Sequence, residues 1–328
     1  MSGGAQGAIP VSVPIPVSVI VMTRNEAANI AACLDSVRDF AEVFVVDSAS
    51  CDGTAELAAA AGARLVPFVW DGRYPKKKQW CLDHLPFAHP WVLYLDADER
   101  MTPELAAEIA ALMAAGPKHA GYYLDARVTF LGRRLRFGAG NRKLALFDRR
   151  LGRYPPCPDL DVAAMWEVEG HYQPRLDGRV GRLRGRLRHE DAKPLYAWIE
   201  RHNRYSDWEA ALRHDGRLTA MNAHEPPGRL LLKRLLDRAP ARPLLAFLHS
   251  YLWRLGFLDG RAGFHYALAR AFYYWQIGVK GLEAEAARRY QAPPAARRHH
   301  APSNAAISPP SALISSKARR RTDDSPIR

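Results

Sequence analysis

The stretch Trp91-Val-Leu-Tyr-Leu-Asp-Ala-Asp-Glu99 constrains the fold of this chain more than any other. Trp91 to Leu95 is apolar without alternation, the pattern of a strand buried on both faces, as in a parallel sheet. Three acidic residues follow at once: Asp96, Asp98 and Glu99. In open α/β sheets, ligands bind just beyond the carboxyl ends of the strands. In an extended segment the side chains of Asp96 and Asp98 project to one side. Paired hard oxygen donors suit a Mg²⁺ or Mn²⁺ ion that holds a substrate diphosphate. The competing reading is a solvated acidic turn before a helix that starts at Thr102-Pro103-Glu104. Asp-x-Asp is too common to decide between them by itself.

The preceding segments supply context. Val17 to Met22 reads as a first buried strand, ended by Thr23-Arg-Asn-Glu26. A helix is expected from Glu26 to Val37, with Ile30, Cys33, Leu34 and Val37 at helical spacing. Val43 to Val46 is a second buried strand, running into Asp47-Ser-Ala-Ser-Cys-Asp-Gly-Thr54. An Ala-rich helix stops at Gly62, and Arg64 to Val69 makes a third strand. A basic helix start, Lys76-Lys-Lys-Gln-Trp80, leads into the Trp91 strand. This β-α alternation specifies a doubly wound, mostly parallel α/β sheet.

The pattern changes after a helix expected over residues 103–115. Gly121 to Phe130 alternates like an antiparallel strand, and Leu131-Gly-Arg-Arg134 has the composition of a hairpin turn. Arg133, Arg134, Arg136, Arg142 and Lys143 then cluster, and Trp166-Glu-Val-Glu-Gly-His171 forms an acidic, aromatic island among them. His189-Glu-Asp191 ends an extended Gly/Arg-rich segment, and Tyr196 to Leu212 reads as an amphipathic helix. Arg229 to Leu236 has the pattern of a basic amphipathic helix. Leu244 to Leu258 and Ala262 to Val279 are aromatic and apolar, yet interrupted by Arg and His more often than a spanning helix of about 20 residues tolerates. Helices lying in a membrane surface fit this composition, and helices packed on the sheet domain are the plainer alternative. The expected organisation is therefore a flexible tail over 1–16, a catalytic domain over 17–225, a membrane-associating helical region over 226–290 and a disordered basic tail over 291–328.

The formal net charge of +13 favours polyanionic partners such as an anionic membrane or phosphorylated substrates. Nucleic acid is disfavoured, because the basic residues are spread over many elements and form no nucleic-acid motif. Cys33, Cys51, Cys81 and Cys157 are scattered with no disulfide-like spacing, which points to a reducing compartment. The N-terminal segment lacks the basic region and cleavage site of a signal peptide, so a cytoplasmic enzyme is expected.

The ordered strings VSVIVMTRNE, VVDSASCDGT, KKKQW and VLYLDADER resemble the inverting family 2 glycosyltransferases of GT-A fold. The lipopolysaccharide-core glucosyltransferase-like subgroup is the nearest resemblance, with HNRYSDW at 202–208 and LGFLDGRAGFHYA at 255–267 similar to its C-terminal region. The resemblance implies a Rossmann-like GT-A sheet with a C-terminal helical extension. It implies that Thr23, Arg24, Asn25 and Glu26 line a nucleotide-sugar pocket, with Asp47, Ser48, Ser50 and Asp52 around the base or ribose. Lys78, within Lys77-Lys78-Gln79, corresponds to a family lysine in a QKN-like motif that this chain only partly keeps. The resemblance further implies that Asp96 and Ala97 belong to the nucleotide-sugar site, and that Asp96, Asp98 and His189 are candidate ligands of a divalent cation, Mg²⁺ or Mn²⁺.

Inverting transfer needs a carboxylate to take the acceptor's proton. The family's His-Glu pair corresponds to Val168-Glu169 here, so Glu169 is the expected base, with Glu167 second. Glu167, Glu169 and His171 would share one face if the segment is extended. The implied partners are a nucleotide-diphosphate sugar, a lipid-linked or phosphorylated glycan acceptor and the anionic cytoplasmic face of the inner membrane. A polyprenyl-phosphate acceptor, and a non-catalytic membrane or polyanion adaptor on the same fold, are the alternatives.

Overall fold

The computed structural model describes residues 13–138, 140–162, 167–168, 173–218 and 241–291. The unalternated apolar runs become the central strands β1 (Ile15–Thr23) and β2 (Phe40–Asp47), separated by α1 (Ala27–Asp35). Next come α2 (Thr54–Ala60), β3 (Arg64–Pro67), α3 (Lys77–His84) and β4 (Trp91–Asp96). A short β5 (Glu99–Arg100) precedes α4 (Pro103–Ala115), whose first turn is capped by Thr102 Oγ1 accepting from the Leu105 amide at 3.3 Å. The second half holds β6 (Gly121–Phe130), β7 (Arg133–Arg134), β8 (Asn141–Asp148), β9 (Gly152–Arg153), β10 (Arg175–Leu176) and β11 (Val180–His189). Three helices follow: α5 (Leu195–His214), α6 (Arg242–Leu248) and α7 (Gly260–Gln291).

The main sheet has the order β3-β2-β1-β4-β8-β6-β11-β5, with β7 paired to β6. β3, β2, β1 and β4 run parallel, as the sequence pattern requires. Their register sets Thr23 opposite Asp47 and Met22 opposite Asp96, so the polar ends of three strands finish side by side. β8 then reverses the direction against β4, β6 is antiparallel to β8, and β11 is parallel to β6. The chain turns from β6 into β7 at Leu131 and Gly132, both at positive φ (50° and 71°), the geometry of a two-residue hairpin turn.

Each face of the sheet buries its own apolar layer. Ile30 and Cys33 of α1 pack with Leu105 and Ile109 of α4 and with Val19, Val21, Leu93 and Leu95 on one side. Cys81 of α3 packs with Ile20, Phe44, Tyr94 and Phe147 on the other. Full burial of one Leu or Ile side chain stabilises by about 2 kcal/mol, so these two layers are the main source of stability.

The C-terminal helices are tied to the β6–β7 hairpin. Both Asp259 carboxylate oxygens accept backbone amides, from Arg136 at 2.9 Å and Phe137 at 2.8 Å. Phe130, Leu135 and Ala262 form a small core there, with Trp198 and Tyr266 against it. Gly138 and Gly256 meet backbone to backbone: a Cβ on Gly256 would stand 2.6 Å from the Ser250 carbonyl and 3.3 Å from Gly138 Cα.

Two expectations change in this region. Leu244 to Leu258 is not one helix, because α6 ends at Leu248 and continues as a π turn (His249–Trp253) and a 3-10 turn (Gly256–Asp259). α7 runs to Gln291, past the apolar run that ends at Val279. The helix expected over 229–236, and all but the last few residues of the 1–16 tail, lie outside the described residues, as does 292–328. No disulfide joins the four cysteines, and among the described residues no helix is long and apolar enough to cross a membrane.

Candidate active site

The loops after β1 and β2 are locked together before any ligand is considered. Asp47 Oδ1 accepts the hydroxyls of Thr23 (2.8 Å) and Ser50 (2.5 Å), and Oδ2 accepts the Ser50 amide at 2.9 Å. These donors outweigh the opposing effect of burial and hold the Asp47 carboxyl below its ordinary range. Ser50 Oγ in turn accepts the Asn25 amide at 2.8 Å, and Asn25 Oδ1 accepts the Cys51 amide at 3.0 Å. Asn25 and Ala49 both adopt positive φ, 55° and 52°, to make this interlock. Asp52 accepts the Ala27 amide at 3.0 Å, and Thr54 Oγ1 accepts the Glu26 amide at 2.8 Å. The two loops thus form one rigid rim, with the Arg24 side chain 66% exposed above it.

The lysine triplet divides into three roles. Lys77, 1% exposed, donates to Ser48 Oγ at 2.6 Å and to the Thr23 carbonyl at 3.0 Å, and faces Glu167 at 3.6 Å. Burial pulls its pKa down, with Glu167 and Asp47 opposing. Lys76 is buried in an ion pair with Asp159 at 2.7 Å, and Trp208 Nε1 of α5 donates to the same Asp159 oxygen at 2.8 Å. Lys78 places its ammonium 5.6 Å from the Tyr154 ring centroid, near enough to Asp96 to lower that acid's pKa. Of the three lysines, Lys78 is thus the one whose charge acts on Asp96.

That cluster is organised by cations from the second half of the chain. Lys143 of β8 bonds Glu99 and reaches Asp96 Oδ2 at 3.1 Å, while the Asp96 amide donates to Glu99 Oε2 at 3.0 Å. Burial raises the Glu99 pKa. Burial would raise Asp96 too, but Lys143 and Lys78 outweigh it and hold that carboxyl well below its ordinary range. Asp98 Oδ2 meets His189 Nε2 at 3.0 Å and Arg201 Nη1 at 3.5 Å. Burial disfavours the charged imidazole, yet Asp98 prevails and pushes the His189 pKa up to about 9. Behind this pair, Asp191 bonds Arg201 (2.6 Å) and Asn29 (3.0 Å), and Glu26 bonds Lys193 (2.6 Å) and Asn29 (2.9 Å).

The expected metal set is therefore only partly assembled. Asp98 and His189 meet, but the Asp96 carboxylate turns to Lys143. Among the described residues, no three His, Cys, Asp or Glu side chains are disposed as a metal cage. A divalent ion that arrives with a diphosphate needs no such cage, since one or two carboxylates and the phosphate oxygens satisfy Mg²⁺. Asp98 with the adjacent imidazole, and the 49%-exposed Asp96 side chain at the rim, fit that simpler arrangement. His189 Nδ1 and Glu99 Oε1 are buried without a partner among the described residues.

Of the two candidate bases, Glu169 lies outside the described residues, as does His171. Glu167 stands between Lys77 Nζ (3.6 Å) and Arg24 Nη1 (4.0 Å), and its carbonyl accepts the Lys77 amide at 2.8 Å. It is seated as the counter-ion of a buried lysine, a poor position for collecting protons from an acceptor.

Several site residues escape a reading of motifs. Lys77 could have been separated from its neighbours by its i, i+4 relation to Cys81, since both bury on the same helix face. The pairings of Arg201 with Asp98 and of Lys143 with Asp96 carry no comparable local signal, because they span 103 and 47 residues.

Residues 18–137 match the family model described as Glycosyl transferase family 2. The chain is 29% identical over 277 residues to the lipopolysaccharide core biosynthesis glycosyltransferase LpsC of Rhizobium meliloti (strain 1021), covering 80% of this chain and 93% of that protein. It is 36% identical over 103 residues to an uncharacterized glycosyltransferase of Rickettsia felis, covering 30% of this chain and 34% of that one. Among solved structures it is similar to a mannosyltransferase of Pyrobaculum calidifontis in complex with GDP-Man and Mn²⁺, at 20% identity and a TM-score of 0.46, covering 83% of this chain and 88% of that one.

Proposed function

We propose, from the match of residues 18–137 to the Glycosyl transferase family 2 model, that this chain moves a sugar, with inversion, from a nucleotide diphosphate to a lipid-linked or phosphorylated glycan of the cell envelope. The observation that carries the reading is the alignment of the ends of β1, β2 and β4, where the Thr23, Asp47 and Asp96 motifs form one continuous rim. Likeness over most of the chain to a lipopolysaccharide-core glycosyltransferase supports the acceptor class.

In this reading Asp47 and its loop, with Thr23 to Glu26, receive the base and ribose. Asp47 Oδ2 keeps acceptor capacity for a ribose hydroxyl or base N–H. Lys78 and Lys143 flank Asp96 and lie along the diphosphate's side of the rim. Asp98 and His189, with Asp96 at the edge, would hold a divalent cation, Mg²⁺ or Mn²⁺, which neutralises charge on the departing diphosphate. Glu169 takes the proton of the acceptor hydroxyl as that oxygen bonds the anomeric carbon. The bond from that carbon to the diphosphate oxygen breaks on the opposite face, and the nucleoside diphosphate leaves. Glu167 keeps Lys77 charged beneath the rim.

The C-terminal helices are the surface we assign to an anionic cytoplasmic membrane face. Leu252, Trp253, Phe272 and Trp275 are exposed there, Trp253 at 81%, with Arg254 and Arg270 close in sequence. Aromatic and basic residues of this kind suit the headgroup level of a bilayer.

Calorimetric titration with UDP, GDP, ADP and CDP, with and without Mn²⁺, tests the reading. One nucleotide should bind in a Mn²⁺-dependent way and be lost in Asp96→Ala/Asp98→Ala. A folded protein that binds none of the four would overturn it.

A further inference from the structure

The outer face of β6 and β11 carries a concentration of guanidinium groups that the reaction above does not use. β11 alternates Arg182, Arg184, Arg186 and Arg188 against Leu183 and Leu187, which bury in the core. Register sets Asp125 opposite Arg186, Arg127 opposite Arg188 and Thr129 opposite Arg134, so the arginines of neighbouring strands share a face. At the Asp125 end the charges are paired, since Asp125 bonds both Arg142 and Arg182.

At the Arg127 end the pairing is incomplete. Arg127 Nε is buried and has no hydrogen-bond partner among the described residues. Burial, and then the repulsion of Arg186, Arg136 and Arg134, pulls its pKa down. The carboxylate that offsets them is Asp259, and both its oxygens already accept the amides of Arg136 and Phe137. Neither Arg136 nor Arg186 has a side-chain partner among the described residues. Like charges held this close are destabilising unless an anion joins them, and planar guanidinium forks match phosphate oxygens two at a time.

The position names the side of the reaction. Arg134 reaches Glu190 at 3.5 Å, and the Glu190 amide donates to the Asp98 carbonyl at 2.8 Å. The cluster thus borders the acidic centre from the β11 side, away from the rim formed by β1 and β2. We propose that Arg127, Arg134, Arg136 and Arg186 bind a phosphate ester on the acceptor and so set which acceptors are glycosylated. This rests on the transferase reading for its role, although the binding itself does not.

The test uses the full chain with glucose 6-phosphate and glucose as soluble probes, and vesicles of phosphatidylglycerol or phosphatidylcholine as membrane probes. Glucose 6-phosphate should bind and glucose should not. Arg127→Gln/Arg186→Gln should weaken that binding tenfold or more, Arg127→Lys should weaken it in part, and Arg142→Gln at the paired end should leave it unchanged. Nucleotide binding, measured alongside, should be unaffected and reports that the variants fold. Arg136→Gln, an exposed position, replaces the double variant if that chain does not fold, and should weaken phosphate binding about threefold. Equal binding of glucose 6-phosphate by wild type and variants overturns the site. So does a loss confined to phosphatidylglycerol vesicles, which would assign these arginines to the bilayer headgroups instead. Phosphate binding lost in the variants of a protein that binds no nucleotide supports the site while sinking the transferase reading.

Discussion

The two halves of the sheet handle charge in opposite ways. In the β1–β4 half, polar side chains bond one another: Asp47 takes three donors, Lys77 has three partners, and the loops close around Asn25 and Ser50. In the β6–β11 half, arginines line up on a strand face, and Arg136 and Arg186 have no side-chain partner among the described residues. The first arrangement is pre-organised, with its ordering cost met during folding, so a ligand of fixed shape gains most from it. The second holds charge in reserve for whatever anion arrives. A donor nucleotide is the same in every turnover and suits the former; acceptors that differ in shape but share an anionic group suit the latter.

Substitutions can break or sharpen this contrast. The largest effect is expected at the junction of the halves. Asp98→Asn should lower kcat/KM by about a thousandfold, on the scale of losing a main electrostatic contact in a reacting site, and steady-state transfer assays would read it. Next, the lysine pair should split in kind. Lys77→Met leaves the partly buried Glu167 carboxylate without its main partner and opens a gap where the fully buried ammonium sat, and should cost about 3 kcal/mol, seen as a fall in Cm on urea unfolding. Lys78→Met should instead weaken nucleotide binding about tenfold with the Cm unchanged. A Lys77 variant of unchanged stability would break the claim that the donor half is pre-organised.

A smaller effect belongs to the α5–α7 interface. There Glu209 bonds Arg213 at 2.5 Å and accepts the Tyr273 hydroxyl at 2.6 Å. Burial opposes its ionisation, but Arg213 and the Tyr273 hydroxyl prevail and hold the carboxyl below its ordinary range. A depressed acid contributes stability above its unfolded pKa, about 4.3, and loses it as pH falls through the folded value. Glu209→Gln should therefore cost about 2 kcal/mol at pH 7, and the gap from wild type should narrow below pH 4 in thermal scans. The smallest effect is expected on the arginine face, where Arg142→Gln should change stability by less than about 0.5 kcal/mol, because its pair with Asp125 is exposed. A large loss there would mean that the face supports the fold and does not hold charge in reserve.

The parallel half was legible because strands buried on both faces leave an unambiguous mark, and Trp91–Asp96 and Phe40–Asp47 stand where their apolar runs predict. The hairpin at Leu131-Gly132 was equally legible, since its turn needs residues that tolerate positive φ. What periodicity does not carry is pairing over distance. Nothing near Asp96 announces Lys143, and nothing near Asp98 announces Arg201. The same limit separates the metal set implied by resemblance from the observed geometry, in which Asp96 turns to Lys143 while Asp98 turns to His189. The break after Leu248 was hidden for another reason: apolar composition continues through a π turn and a 3-10 turn as readily as through an α-helix.

One turn of α5 joins the distant parts of this molecule. Trp208 points inward to Asp159, the counter-ion of Lys76 at the start of the donor helix, and the next residue, Glu209, points outward to Tyr273 of α7. Two consecutive peptide units therefore bear both attachments, and neither can shift far without carrying the other. The aromatic surface of α7 and the Lys76 end of α3 are thus joined by a lever one residue long.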